Sequence, residues 1–349
     1  MTHIKSFSYQ NICIFAKSNQ CDKYHFNLYC YEQKSNFHNG SGRIPWLGTS
    51  PKQLHILEHI KSVTAVSKVL GDGRKVSTVI LEYDTPISNK SLSAGSYAVV
   101  GKEVTDVYAN NVPEKTEKGT DGKYVVIEVK AEVDLYAQPK QPTNADLEKK
   151  KERDLMQGGP GLRAGWSTGG DDEYPGNAVV LQIKDIKTAG GKTYKASDTQ
   201  INSTEEKCLV ADDFRQEEFV SPYTGQVLPY NIYLPEDYDP AKKYPLVLFI
   251  HDAGVASSQV KQPLYQGNGA TSWAEPEAQA RHRCIVVAPE YPYITVDDNW
   301  NYSHHLDATI ALLKDLQTRY SVDSSRIYTT GQSMGCMSSI VMMPIIRSS

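Results

Sequence analysis

The sequence predicts a multidomain protein of the β plus α/β class, in which a β-sandwich precedes a mostly parallel sheet. From about residue 61 to 210, short β-rich runs are separated by turn residues. After residue 212, nearly continuous apolar runs alternate with helix-like stretches, a pattern typical of a sheet buried on both faces. A Gly-x-Ser-x-Gly pattern at 331–335 then predicts a sharp turn between a strand and a helix.

Length and composition limit the classes of protein to which the chain can belong. Its 349 residues, with 40% hydrophobic and 22% charged residues, fit a globular protein of two or three domains. The net charge of −4 comes without clustered basic residues, which argues against a nucleic-acid partner. No apolar run approaches the roughly 18 residues that span a membrane. The six cysteines lack a Cys-x-x-Cys pair, so we expect free or buried thiols and no zinc site.

Residues 1–50 carry the weakest structural signal. They are rich in Tyr, Asn, Lys and Gln, and their apolar residues follow neither the helical nor the strand period. The apolar run at 12–16 is short for the core of a signal peptide. We leave this region unassigned and expect it to be irregular.

Residues 51–212 are predicted to form the β-sandwich. Runs of β-branched and aromatic residues lie at 62–69, 76–83, 96–100, 103–109, 123–133 and 178–186. The first five have no helical stretch between them, which favours antiparallel pairing. Near 144–175, a charged helix-compatible stretch followed by a Gly-rich one predicts a helix and loop insertion.

Residues 213–349 are predicted to form the α/β unit. Its strands are expected at 230–234, 244–250, 284–288 and 327–330. Residues 304–320 predict a helix, because Leu306, Ile310 and Leu313 recur at three- and four-residue steps.

Ser333 is the candidate nucleophile of this unit. A serine hydroxyl projects from a tight strand-to-helix turn only if neighbouring residues lack a Cβ, so that strand and helix approach closely. Gly331 and Gly335 meet that need. The helix after the turn would direct the backbone N–H of Met334 at the oxygen that becomes negative during attack. The alternative is a serine in an ordinary turn that has no catalytic role.

A second oxyanion donor is expected in the loop after the strand at 244–250. This loop begins His251-Asp252-Ala253-Gly254, and acyl transfer on such a scaffold takes a backbone N–H from this position. Ala253 is the first candidate donor and Gly254 the second. An ordinary loop of small residues is the alternative.

Four motifs of the α/β unit carry a resemblance to a known family. They are Tyr-Asn-Ile-Tyr-Leu-Pro at 230–235, Tyr-Pro-Leu-Val-Leu-Phe-Ile-His at 244–251, Ala-Pro-Glu-Tyr at 288–291 and Gly-Gln-Ser-Met-Gly-Cys at 331–336. These motifs resemble the α/β-hydrolase superfamily, in particular secreted esterases and predicted peptidases related to polyhydroxybutyrate depolymerases and feruloyl esterases. A subgroup of those esterases carries an immunoglobulin-like domain ahead of the hydrolase. Residues 55–210 resemble that domain in their pattern of short β-rich runs separated by turn residues.

The resemblance implies a function for the chain. It implies hydrolysis of a small or polymeric carboxylic ester through a Ser333 acyl-enzyme, with the N–H groups of Met334 and Ala253 as oxyanion donors. It implies no cofactor and no metal, and an extracellular or periplasmic location. A serine peptidase of the same fold is one alternative. A carbohydrate- or protein-binding sandwich with a vestigial hydrolase half is another, for which Tyr108, Tyr124 and Tyr136 are available aromatic residues.

The sequence departs from the family pattern in two places. The family usually has His-Gly where this chain has His251-Asp252. In these hydrolases an acid and then a histidine follow the nucleophile, whereas residues 334–349 contain no Asp, Glu or His. We therefore expect a C-terminally truncated hydrolase domain with an uncovered strand edge and an uncovered apolar face, a last helix disrupted at Pro344, and little or no turnover.

All nine histidines precede Ser333 in the chain. A serine hydroxyl is a poor nucleophile without an adjacent base, which usually needs a third group to orient it. His251 lies at a strand end and is expected to be structural. His304 and His305 begin the predicted helix, whose polar face explains them.

Overall fold

The structure is a computed structural model that describes residues 10–16, 31–33, 58–133, 164 and 174–348, with the backbone alone for the first two segments and for 346–348. The strands are β1 (Gln10–Ala16), β2 (Tyr31–Gln33), β3 (Ile60–Leu70), β4 (Gly73–Ile87), β5 (Tyr97–Val99), β6 (Val104–Asn110), β7 (Gly122–Val129), β8 (Val179–Gln182), β9 (Ile186–Lys187), β10 (Thr193–Tyr194), β11 (Ile201–Asn202), β12 (Glu205–Cys208), β13 (Arg215–Val220), β14 (Val227–Tyr233), β15 (Tyr244–Ile250), β16 (Ile285–Pro289) and β17 (Val322–Gln332). The α-helices are α1 (Gln262–Tyr265), α2 (Thr271–Ala274), α3 (Pro276–Arg281), α4 (His305–Arg319) and α5 (Met334–Ser348). Short 3-10 helices occur at Asn89–Ser91, Ala94–Ser96, Ala211–Asp213 and Ala253–Val255.

Strands β3 to β12 form the predicted β-sandwich. One sheet has the order β12-β3-β4-β7-β6 and a second has the order β11-β8-β5, while β9 and β10 form a separate pair. Their pairs are antiparallel except that β12 runs parallel to β3. Both sheets contribute to one apolar core, for example through Val125 and Val180. The sandwich is thus confirmed, while its boundaries stay predictions, and most of the insertion near 144–175 lies outside the described residues.

A polar network is buried inside the sandwich core. The Tyr97 hydroxyl lies 2.7 Å from that of Tyr83, which donates to Gln182 Oε1 over 3.2 Å. Gln182 Nε2 lies within hydrogen-bond distance of the carbonyl oxygens of Lys184, Tyr194 and Lys195. Each polar side-chain atom of the network therefore has a partner.

The tyrosines considered for a binding face are not equally available. Tyr108 is buried, and its hydroxyl donates to Glu128 and accepts from the Thr116 N–H. Tyr124 is half-buried, and Tyr136 lies outside the described residues. Tyr108 thus packs into the sandwich, so the interpretation of it as an exposed binding residue is wrong.

The second unit is built on a sheet with the order β13-β14-β16-β15-β17-β1-β2. At its centre β15 is parallel to β16 and to β17, and the other neighbours are antiparallel. The sheet is therefore more mixed than the mostly parallel one that we expected. The reason at one edge is that β13 and β14 are joined by a short connection, which only antiparallel strands can use.

Both faces of the central sheet are covered, as the apolar run at 244–250 predicted, so the expectation of an uncovered apolar face is wrong. Leu246 and Leu248 face a core that includes residues of α4 and α5. Val247 and Phe249 face another core that includes residues of α1 and α2. Val69 of β3 also belongs to this second core, so the sandwich packs directly against the sheet.

Strand β1 covers the edge of β17 that we expected to be uncovered. It pairs antiparallel with β17, with Cys13 opposite Gly331, and β2 pairs with β1 in turn. The region expected to be irregular therefore contains two strands. The physical reason is that an open strand edge offers unpaired N–H and C=O groups to any β-forming run.

Two expectations about the last helix and the cysteines need correction. Helix α5 continues through Pro344. Proline at this position removes the N–H that would bond the Ile340 carbonyl, a loss of one hydrogen bond that the helix tolerates. Cys208 and Cys284 are buried free thiols as expected, whereas Cys336 is disulfide-bonded.

Candidate active site

Ser333 occupies the tip of the turn between β17 and α5. Its side chain is exposed and its backbone has φ +50°, in the left-handed region that non-glycine residues rarely adopt. A Cβ on Gly331 would lie 2.4 Å from the carbonyl carbon of Gly335, and a Cβ on Gly335 would lie 1.9 Å from the Ile250 oxygen. Both positions therefore require glycine, because β15, β17 and α5 approach one another there without space for a side chain.

The residues expected to supply oxyanion donors lie together. Ala253 and Met334 pack with Ile294 in one small buried cluster. Met334 is the first residue of α5, where backbone N–H groups have no partner within the helix and favour negative charge. The N–H of Gly254 donates to Asp252 Oδ1 over 2.6 Å, so the second candidate donor is already engaged.

The hairpin that follows β16 supports the start of α5. The Thr295 N–H lies 3.3 Å from Met334 Sδ, and the Thr295 hydroxyl lies 2.8 Å from that of Ser338. Asp297 holds the tip of this hairpin by accepting from the N–H groups of Asn299 and Asn301. Asp297 thus stabilises a loop.

His251 is fixed in a structural position under the oxyanion loop. Its Nδ1 lies 2.6 Å from the Asp252 carbonyl oxygen, and the Tyr291 N–H donates to its Nε2 over 3.0 Å. These partners require the tautomer with the proton on Nδ1. Burial lowers the pKa of His251 to about 4, so the ring is neutral at neutral pH. Both ring nitrogens are occupied, and His251 cannot act as the base for Ser333.

Glu290 lies against His251 and was not considered from the sequence. Its Oε1 accepts from the N–H and the hydroxyl of Ser257, while Oε2 has no hydrogen-bond partner among the described residues. Burial raises the pKa of Glu290 to about 9, and the negative charge of Asp252 adds to this effect. Glu290 Oε2 lies 3.6 Å from His251 Nε2, beyond hydrogen-bond distance. We therefore assign both groups as neutral.

His305 and His304 do not supply the missing base within the described residues. His305 is buried at the start of α4, with its Nδ1 3.1 Å from the Ser303 hydroxyl. Burial lowers its pKa to about 4, and the neighbouring His304 ring contributes. In the part of the chain that the structure describes, no hydrogen bond joins Ser333 to a histidine or a carboxylate. The same part contains no group of three metal-ligating side chains, and none of its helices is long and apolar enough to cross a bilayer.

Comparisons with known proteins show the family of the chain. The family described as the esterase Ig-like N-terminal domain matches residues 62–195. The crystal structure of a thermostable esterase is 30% identical, with a TM-score of 0.66, and the match covers 81% of this chain and 74% of that one. The chain belongs to the esterases with an N-terminal immunoglobulin-like domain.

More distant structures also match this esterase. A ferulic acid esterase from the anaerobic fungus Anaeromyces mucronatus is 20% identical over 37% of this chain and 53% of that one, with a TM-score of 0.28. The feruloyl esterase module from Clostridium thermocellum, as an S954A mutant with sinapinate, is 19% identical over 37% of this chain and 48% of that one, with a TM-score of 0.26. No curated protein matched the chain.

Proposed function

We propose that this esterase hydrolyses carboxylic esters through a covalent acyl-enzyme on Ser333. The observation that carries the proposal is the left-handed backbone of an exposed serine, φ +50°, at the turn between β17 and α5. A non-glycine residue in that conformation costs free energy, and such strain is concentrated at functional sites. The small cluster that joins Ala253 to Met334 supports these residues as the two oxyanion donors.

The reaction follows from these roles. Ser333 Oγ attacks the ester carbonyl carbon and gives its proton to a base, and the carbonyl oxygen becomes negative. The N–H groups of Ala253 and Met334 stabilise that oxygen. Cleavage of the bond to the alcohol oxygen, which takes a proton as it leaves, forms the acyl-enzyme. Water then attacks the acyl carbon, releases the acid and restores the serine hydroxyl.

We also propose that the 349-residue polypeptide turns esters over slowly or not at all by itself. Within the described residues His251 and His305 are buried and hydrogen-bonded elsewhere, so neither accepts the Ser333 proton. Without a base, the elbow and the oxyanion donors retain a residual acceleration of about 10³- to 10⁴-fold over water.

Hydrolysis of p-nitrophenyl acetate, with and without added imidazole, tests both proposals. Ser333→Ala is the matched control, because it carries the same background of hydrolysis by imidazole alone. Imidazole can reach an exposed serine and act as its base, so we expect the wild-type rate to exceed that of Ser333→Ala by about tenfold or more when imidazole is present. Equal rates in both conditions would contradict a nucleophilic Ser333. Rapid hydrolysis without imidazole that is lost in Ser333→Ala would contradict the low activity.

A further inference from the structure

The side chain of Asp252 joins the two loops that would build the oxyanion site. Asp252 Oδ1 accepts from the Gly254 N–H over 2.6 Å, and Oδ2 accepts from Gln332 Nε2 over 2.9 Å. Gly254 directly follows Ala253, and Gln332 directly precedes Ser333. One buried carboxylate therefore bonds a neighbour of each functional residue.

From this geometry we infer that Asp252 is a positioning residue, which sets the placement of the Ala253 N–H relative to Ser333. The inference rests on the proposed function of Ser333. The link depends on the Asp252 side chain, which a glycine at this position would not provide.

An ionised carboxylate suits this role for two reasons. It only accepts hydrogen bonds and has two oxygens, so it can bind one donor from each loop at the same time. Its bonds are charge-assisted and stronger than those of a neutral acceptor in a site with little water, and Asp252 is 8% exposed.

The main chain of Asp252 is also held in place. Its carbonyl oxygen lies 2.6 Å from His251 Nδ1, and its N–H donates to Gln266 Oε1 over 3.4 Å. The side chain is therefore attached to a fixed backbone and can transmit the position of β15 to the elbow. A shift of about 1 Å in a reacting group can cost about a hundredfold in rate, so this coupling has kinetic consequences.

Exchange of the hydrogen-bonding groups of Asp252 and Gln332 tests the inference. Gln332→Glu places two carboxylates against each other and breaks the link. In the double variant Asp252→Asn with Gln332→Glu, the asparagine oxygen still accepts from Gly254 and its amide nitrogen donates to the new glutamate. Asp237→Asn is the control, because it removes one negative charge at an exposed ion pair with Arg283.

The readout is the rate at which a fluorophosphonate labels Ser333 with imidazole present as the base, which needs no turnover. We expect Gln332→Glu to label at least about tenfold more slowly than wild type at pH 8, and the double variant to recover to within about threefold. Unfolding temperatures identify variants that fail to fold.

Two results would overturn the inference. One is a wild-type labelling rate in folded Gln332→Glu, and the other is a double variant that labels as slowly as Gln332→Glu alone. If wild-type Ser333 is not labelled, the proposed nucleophile is wrong, and amide NMR of Asp252→Ala decides the positioning role separately. We then expect faster hydrogen exchange at Gly254 and shifted amide signals of Ala253 and Met334, whereas unchanged signals would contradict the inference.

Discussion

Two buried polar networks of the molecule differ in how completely they are satisfied. In the sandwich, the hydroxyls of Tyr83 and Tyr97 and both polar atoms of Gln182 have partners. Under the oxyanion loop, Asp252 and His251 are well bonded, but Glu290 Oε2 has no partner among the described residues. The first network joins strands, whereas the second lies beside a serine with a strained backbone.

The difference indicates that the network under the oxyanion loop lowers the stability of the folded protein, whereas the sandwich network raises it. A satisfied network contributes hydrogen bonds at little desolvation cost, while a buried carboxyl oxygen without a partner costs free energy. We expect substitutions in the sandwich network to destabilise the protein. We expect replacement of Glu290 by an uncharged residue, or of Ser333 by glycine, to stabilise it.

Glu290→Gln is expected to have the largest effect, and the effect depends on pH. The pKa of Glu290 is raised from 4.5 to about 9, so its contribution to stability is fully present below pH 4.5 and is lost as pH rises towards 9. Glutamine does not ionise and can keep the bonds to Ser257. The advantage of the variant over wild type in unfolding free energy should therefore grow by about 4 kcal/mol between pH 5 and pH 8.

Urea unfolding at several pH values measures this gain. Glu277→Gln is the control, because it makes the same replacement of a carboxyl by an amide at an exposed position. If the unfolding free energies of wild type and Glu290→Gln changed with pH in the same way, Glu290 would not be held neutral in the folded protein.

Gln182→Ala should destabilise the sandwich by about 2 kcal/mol, because it removes the acceptor of the Tyr83 hydroxyl proton and the donor to the Tyr194 carbonyl, both in buried hydrogen bonds. The same urea unfolding measures the loss. The exposed Gln200→Ala variant serves as a control for the loss of a glutamine side chain. If the unfolding free energy fell no more than it does in Gln200→Ala, the network would contribute nothing to stability.

Ser333→Gly should stabilise the protein by about 1 kcal/mol while removing the proposed nucleophile, because glycine adopts φ +50° without the Cβ clash that serine has. Thermal unfolding compared with Ser333→Ala, which keeps the Cβ, isolates the backbone effect. If glycine were no more stable than alanine at this position, the elbow would not be strained.

Much of this arrangement could be predicted from local sequence. The elbow follows from Gly331, Ser333 and Gly335, because their steric needs are local. The strand at 244–250 is reproduced residue for residue by β15, since an apolar run of that length fits a strand buried on both faces. The pairing of β1 with β17 was missed, because it joins residues more than 300 positions apart and rests on an edge that any β-forming run can fill.

The buried network under the oxyanion loop could not be predicted in the same way. Asp252 was recognised as a departure from the family pattern, but its bond to Gln332 exists only because β15 and β17 are neighbours in the sheet. The sequence contains one indication that Glu290 is unusual, because this charged residue directly follows an apolar strand. Whether such a residue is buried depends on what packs over the strand end, which the local pattern does not contain.

The most direct test of the account is to map the residue that a fluorophosphonate modifies. The full chain would be labelled with imidazole present as the base, digested with a protease, and analysed by tandem mass spectrometry, with Ser333→Ala treated in the same way. The account predicts one adduct, on the peptide that contains Ser333, and no adduct in the variant. An adduct on another serine, or equal labelling of the variant, would contradict the assignment of Ser333 as the nucleophile.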